Sequence, residues 1–393
     1  MSAQTSAPPR ISFWNDPFWR GLIFQAALAL FVIALIWGAW SNALDNMARR
    51  GIPTDFSFWN KPASFDINQS LISYSAASEN GRAFWVGLLN TLLVAAIGVV
   101  LSTIVGFAVG AARLSKSWLV AKLATIYVET IRNVPLLLQL LFWYNAVLKP
   151  LPAPRNSVSI FNTLFLNNRG LFMPQPLPQA GFGAVWLALA AGIAAALALR
   201  FYARKRQRET GAQTPVGPLS VALIIGLPLI VYFMAGRPLA FDIPKLKGFN
   251  FDGGMRLTPE FVALELGLTL YTASFIAEIV RAGILAVPKG QSEAAAALGL
   301  RPGPTRKLVI VPQAMRVIIP PLTSQYLNLI KNSSLAVFIG YPDLVQVFAG
   351  TVLNNTGAAV QIICITMAVY LFISLVTSFA MNLYNKRMAL KER

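Results

Sequence analysis

The chain alternates long apolar runs with short polar and charged intervals. Eight runs approach the ~20 residues that a helix needs to cross a hydrocarbon core. They are Gly21–Trp40, Phe84–Gly110, Leu119–Leu148, Gly181–Leu199, Val216–Ala235, Pro259–Val280, Ile318–Ile339 and Ala358–Tyr384. The pattern predicts an all-α membrane protein with eight transmembrane helices. The third and seventh runs are weak, because Glu129, Arg132 and Pro135 fall in one and Gln325, Asn328, Lys331 and Asn332 in the other. Polar groups in hydrocarbon are costly, so such positions are either partnered or line a cavity. Pro135 is expected to kink the third run or to begin its deeper part.

The runs Gly181–Leu199 and Val216–Ala235 are smooth, Ala/Leu/Ile-rich and uncharged. A helix apolar all round suits a lipid-facing place. This pair is expected to pack peripherally, and Arg200–Pro215 between its members reads as a basic loop. Because two spans cancel, removing the pair leaves the orientation of the rest unchanged. Ser41–Arg82 reads as an irregular outer cap, and Lys149–Ala180, with six prolines, as an outer loop. Phe84, Trp85, Trp143 and Tyr144 near span ends read as an interfacial belt. Glu129/Arg132 and Glu278/Arg281, each spaced i, i+3, read as local ion pairs or as staples for the helices that bear the segment between the sixth and seventh runs.

Composition agrees with the pattern. Hydrophobic residues make up 56% and charged residues 12%, which excludes a soluble domain. The net charge of +18 has a topological explanation. With the N-terminus inside, cytoplasmic segments hold twenty Lys and Arg and outer segments eleven, while Arg132 and Lys331 are intramembrane. That asymmetry puts both termini in the cytoplasm and removes the need for a nucleic-acid partner. The first run is a spanning helix, not the short core of a signal peptide. Cys364 is the lone cysteine, so no intrachain disulfide forms. With no histidine and no Gly-x-x-x-x-Gly-Lys-Ser/Thr loop, the chain shows no catalytic group, metal site or ATP site of its own.

Between the sixth and seventh runs lies Glu293-Ala294-Ala295-Ala296-Ala297-Leu298-Gly299, with Pro312 thirteen residues after the glycine. As residues, they make a helix, a Gly/Pro turn and a second short helix on the cytoplasmic side. The stretch resembles the EAA loop of ABC importer permeases, which reads Glu-Ala-Ala, three residues, Gly, nine residues, Ile-x-Leu-Pro. Glu293, Ala294, Ala295, Gly299 and Pro312 match, while Val309 and Val311 depart mildly. Further runs carry the resemblance: Glu129 to Gln139, Thr272 to Ile284, and Lys331-Asn332-Ser333-Ser334-Leu335. Together they resemble polar-amino-acid permeases of the histidine-permease-like family. The first helix, the segments Arg50–Phe56 and Leu166–Leu171 and the inserted pair are similar to the Q-type permease of general L-amino-acid importers.

The resemblance implies a five-helix type I importer core (Phe84–Gly110, Leu119–Leu148, Pro259–Val280, Ile318–Ile339 and Ala358–Tyr384) and a cytoplasmic coupling hairpin. In domain terms, residues 1–83 hold the N-terminal cytoplasmic segment, the first helix and a periplasmic segment. Residues 84–148 begin the core, 149–258 hold periplasmic loops around the inserted pair 181–235, and 259–393 complete the core with the EAA loop 288–316. The implied protein is a multi-pass permease of the bacterial inner membrane that translocates L-amino acids. Its implied partners are a second homologous permease chain, a cytoplasmic ATPase dimer that uses ATP and Mg, a periplasmic amino-acid-binding protein and the lipid bilayer. No cofactor resides on this chain. The alternative is an ion- or proton-coupled secondary amino-acid transporter using Glu265 and Lys331.

Two polar stripes are candidates for the transport path. Gln325, Asn328 and Asn332 share one helical face, with Lys331 at its edge. Amides and one cation suit an amino acid's charged ends, and they equally suit interhelical hydrogen bonds. Glu265, Thr269 and Thr272 form a second stripe. Glu265 either meets a substrate ammonium or pairs structurally with Lys331.

Overall fold

The computed structural model describes residues 17–388 apart from 50 and 54. The segment before residue 17, expected to be cytoplasmic, and Lys391 and Arg393 at the other end, lie outside the described residues. In chain order, α1 (Pro17–Arg49) leads through a 3₁₀ turn, Ser57–Asn60, to α2 (Asn80–Ala112) and α3 (Trp118–Asn133). Next comes α4 (Leu136–Leu141), continued by a π-helical stretch, Phe142–Leu148. Strands β1 (Val158–Ile160), β2 (Leu164–Asn167), β3 (Gly170–Met173) and β4 (Gln175–Pro178) precede α5 (Phe182–Thr210). A return helix follows as α6 (Val216–Val221), a π-turn and α7 (Leu227–Met234). Then come β5 (Leu239–Asp242), β6 (Lys245–Lys247), β7 (Asn250–Asp252) and β8 (Met255–Leu257). The long α8 (Pro259–Leu285) is followed by α9 (Lys289–Ala297), α10 (Pro302–Thr305), a π-turn and α11 (Val311–Asn332). A 3₁₀ stretch, a π-helical stretch (Val345–Val352), α12 (Leu353–Thr356) and α13 (Ala359–Met388) close the described chain.

Six of the expected spans are helices long and apolar enough to cross a membrane: α1, α2, α5, α6 to α7, α8 and α13. The other two take a different form. The third breaks at Pro135, where Val134 is extended at φ −99° and ψ 128°, the conformation that a following proline imposes. The break frees carbonyls at the end of α3, and the Gln139 amide donates to two of them, those of Ile131 and Val134, at 2.9 Å each. Such compensation is what lets a helix break inside a membrane. The seventh run begins within α11 and ends in the 3₁₀ stretch Ser333–Ile339.

By contacts the chain forms two units. One comprises 1–95, 319–337 and 342–393, and the other comprises 96–318 and 338–341. The first has an aromatic core in which Phe84, Trp59 and Phe348 pack at steep ring angles, centroids 5.1 to 5.8 Å apart, around buried Phe58. Phe84 is therefore a core residue, not part of an interfacial belt. Asn80 fastens this core by donating to the Phe58 carbonyl at 2.9 Å. Nearby, Tyr74 donates to the Phe65 carbonyl. Its burial, helped by Asp66, pushes its hydroxyl up to about 12.

The second unit is built on α8. Gly106 and Gly110, a Gly-x-x-x-Gly pair on α2, let that helix meet α8 closely. A Cβ at Gly106 would stand 2.5 Å from Ile276 Cγ2, and one at Gly110 would stand 2.8 Å from the Ala277 carbonyl. Tyr127 on α3 donates to the Leu270 carbonyl at 2.7 Å, and Tyr144 donates to Glu260 at 2.8 Å. Leu140 packs on Gly267.

The segments of this unit that were expected to be outer loops also hold strands, and the fold is not purely helical. Strands β1-β2-β3-β8 form an antiparallel sheet, and β4/β5 and β6/β7 form two ribbons. Phe165 and Phe172 pack on Phe251 at 4.6 and 5.0 Å. Pairing of β3 with β8, and of β4 with β5, closes a collar at the base of the α5 to α7 hairpin. Within that hairpin Ala188, Gly192 and Ala196 form a buried stripe, and Gly192 abuts the Leu223 backbone. The basic segment after Leu199 is also not a loop, since α5 continues through it to Thr210.

Candidate functional site

The segment between α8 and α11 folds as a tied hairpin. Pro288 leads into α9, and Gly299 ends it with φ +75°. There the Gly299 N–H donates to the Ala296 carbonyl at 2.9 Å and the Leu300 N–H to the Ala295 carbonyl at 3.1 Å. This left-handed C-terminal motif favours glycine, since in other residues the Cβ crowds the following carbonyl oxygen. Arg301 is extended and Pro302 opens α10, where its missing N–H costs nothing. Thr305 donates back to the Arg301 carbonyl at 2.9 Å. Gln313 on α11 donates to Gln291 on α9 at 3.0 Å, joining the two arms. At the base, Gly283 of α8 packs directly on Ile318 of α11.

The hairpin buries Ala295 and leaves Ala294, Ala296 and Ala297 exposed. Leu298, at its tip, is 82% exposed. Pro312 is the second residue of α11 and half-buried. Glu293 is exposed and makes no hydrogen bond or ion pair among the described residues. Glu293 lies beyond the first turn of α9, too far along the helix to cap its N-terminus.

Above the hairpin, Glu278 of α8 accepts from Arg281 at 2.6 Å and from Arg113, just past α2. The sequence revealed the first contact through its i, i+3 spacing and missed the second, which is long-range. The parallel pair Glu129/Arg132 does not form among the described residues. Arg132 instead lies over the Phe275 ring at 5.0 Å, a cation–π arrangement.

The two polar stripes fall in different units and differ in character. Glu265, Thr269 and Thr272 on α8 are buried, and Glu265 is only 7% exposed. Neither carboxylate oxygen of Glu265 has a hydrogen-bond partner, nor does the Thr269 hydroxyl one turn on. On α11 the polar face is open: Asn328 and Lys331 are exposed, and Gln325 and Asn332 half-buried. Neither Glu265 nor Lys331 finds a counter-ion among the described residues.

Sequence reading also missed Asp343, which is the sole acidic residue between Glu293 and Glu392. It is buried in the first unit, where the Gln346 N–H donates to it at 2.8 Å and the Tyr370 hydroxyl at 3.3 Å. Burial pushes its carboxyl up to about 7 against the opposing pull of those donors. The Thr91 hydroxyl next to it accepts from the Leu344 N–H at 3.0 Å. Its isolation in an apolar stretch was the available signal.

A chain crossing the membrane many times, with an exposed helical hairpin and a buried unpaired carboxylate, has the parts of a transport permease. Residues 218–390 match the model of the binding-protein-dependent transport system inner membrane component. The chain is 51% identical to the putative amino-acid ABC transporter permease protein YhdX of Escherichia coli, over 98% of this chain and 97% of that one. It is 50% identical to the general L-amino acid transport system permease protein AapQ of Rhizobium johnstonii, over 96% and 94%. It is 41% identical to the glutamate/glutamine/aspartate/asparagine transport system permease protein BztB of Rhodobacter capsulatus, over the full length of both. The chain belongs to the amino-acid permeases of ABC transporters. Its role is that of the permease subunit of an amino-acid importer, and these relatives offer no support for the secondary-transporter alternative.

Proposed function

We propose that the chain spans the bacterial inner membrane eight times with both termini cytoplasmic, and that its α9 to α10 hairpin is the EAA coupling element for a separate ATPase. The broken third and seventh runs supply the two further crossings. The exposed Leu298 carries the coupling reading. A large apolar side chain at the tip of a tied hairpin, among exposed alanines, suits a groove on a partner. Glu293, free of internal partners, is then available to that partner too.

In this reading a cytoplasmic ATPase dimer hydrolyses ATP with the help of Mg, a periplasmic binding protein delivers the amino acid, and a second homologous permease completes the channel. The open polar face of α11 (Gln325, Asn328, Lys331, Asn332) faces the path or that second chain. Glu265, Thr269 and Thr272 offer acceptors to a substrate ammonium. A buried carboxylate without a partner costs at least ~2.5 kcal/mol, which a bound cationic group offsets.

Cross-linking tests the coupling reading. Leu298→Cys in a Cys364→Ala background should form a disulfide with a cysteine placed in the ATPase groove, and ATP should change its yield. Cross-linking from Phe161→Cys, at an outer strand turn, with none from Leu298→Cys, would overturn it.

A further inference from the structure

We infer that the far end of the α5 to α7 hairpin is a binding site for the headgroup of an anionic phospholipid. At 29 residues, α5 is roughly 43 Å long at 1.5 Å per residue, against a hydrocarbon core of about 30 Å. Its last turns therefore project into the headgroup layer. Phe201 and Tyr202, both exposed, mark the depth where aromatic side chains settle at the interface. One helical face carries Leu197, Phe201, Arg204 and Arg208 in turn, all exposed. That order, apolar and then basic, matches an acyl chain followed by a phosphate.

The geometry adds a cavity. A recess of about 550 Å³ lies between the end of α5 and the start of α6, lined by Arg200, Arg204, Gln207, Gln213 and Thr214. Arg204 also borders a second recess of about 410 Å³ with Phe201, Lys205, Arg208 and Glu209. Glu209 is the only carboxylate in residues 200–217, and it stands 4.0 Å from Lys205. Among the described residues no carboxylate pairs with Arg200 or Arg204. Two unneutralised guanidinium forks with amide and hydroxyl donors suit a phosphodiester, which takes paired N–H donors. Positive charge that merely sets topology would need no cavity. Clusters of four to eight basic residues at the end of a transmembrane helix attract anionic lipid.

The full chain, purified with its partner subunits in detergent, can be titrated by native mass spectrometry with phosphatidylglycerol, phosphatidylethanolamine and inorganic phosphate. The expected result is selective retention of phosphatidylglycerol. Retention should fall roughly ten-fold in Arg204→Gln and further in Arg200→Gln/Arg204→Gln, from the loss of charge-assisted hydrogen bonds to the phosphate. Arg206→Gln, which borders neither recess, should change it less than two-fold, and Arg204→Lys, which keeps the charge but loses the fork, should retain only part of it. Equal retention of phosphatidylethanolamine by the unaltered protein overturns the proposal, whatever the variants do. So does an equal loss in Arg206→Gln, which indicates diffuse attraction. Competition by millimolar phosphate without lipid selectivity would make this a phosphate site and also overturns it.

Discussion

Arg113, one residue past α2, is held by Glu278 of α8, and the same carboxylate also holds Arg281 three residues on. One acidic group thus joins two helices just before the chain leaves α8 for the hairpin. The Arg113 side chain is only 10% exposed, so it depends on this partner.

Glu278→Gln should therefore destabilise the permease by about 1–3 kcal/mol, the cost of leaving a largely buried charge short of its partner. The double variant Arg113→Gln/Glu278→Gln should recover part of that loss. Thermal unfolding of the purified assembly measures both. With Arg113→Gln melted alone as well, strict additivity of the two single effects would show that the contact carries no energy.

Gly299→Val forces a β-branched residue into a φ of +75°. Open space around the glycine means that the cost is backbone strain, about 1–2 kcal/mol. The chain should insert normally while ATP hydrolysis uncouples from uptake or the ATPase detaches. Gly299→Asn, which tolerates this conformation, should retain most of the activity. Full uptake by a well-expressed Gly299→Val protein would refute a coupling role.

Glu265→Gln keeps shape and removes a buried charge that has no partner. Stability should hold or rise, while uptake falls at least ten-fold if the carboxylate meets the substrate's ammonium. Uptake in proteoliposomes and a thermal melt separate the two effects. Unchanged uptake would place Glu265 outside the path.

Orientation is open to a labelling test. Arg204→Cys, in a Cys364→Ala background, should react with an impermeant maleimide only from the cytoplasmic side, as the twenty-to-eleven basic asymmetry requires. Reaction from outside would mean a miscounted span before residue 200.

Much of this protein was legible in one dimension. Hydrocarbon thickness imposes a length, so the six long apolar helices stand out from composition alone. The break at Pro135 follows from the missing N–H and the constraint on Val134. The left-handed turn at Gly299 follows from local chemistry, because only its own backbone has to agree. Other features depended on residues far apart in sequence. The collar pairs β3 with β8 and β4 with β5 across the inserted hairpin, and strands of three or four residues leave no usable periodicity. Burial of Phe84 and the Arg113–Glu278 contact needed neighbours from distant segments. That Glu265 is enclosed without a partner, while Lys331 lies open, depends on which faces the neighbouring segments cover, and only the assembled fold decides that.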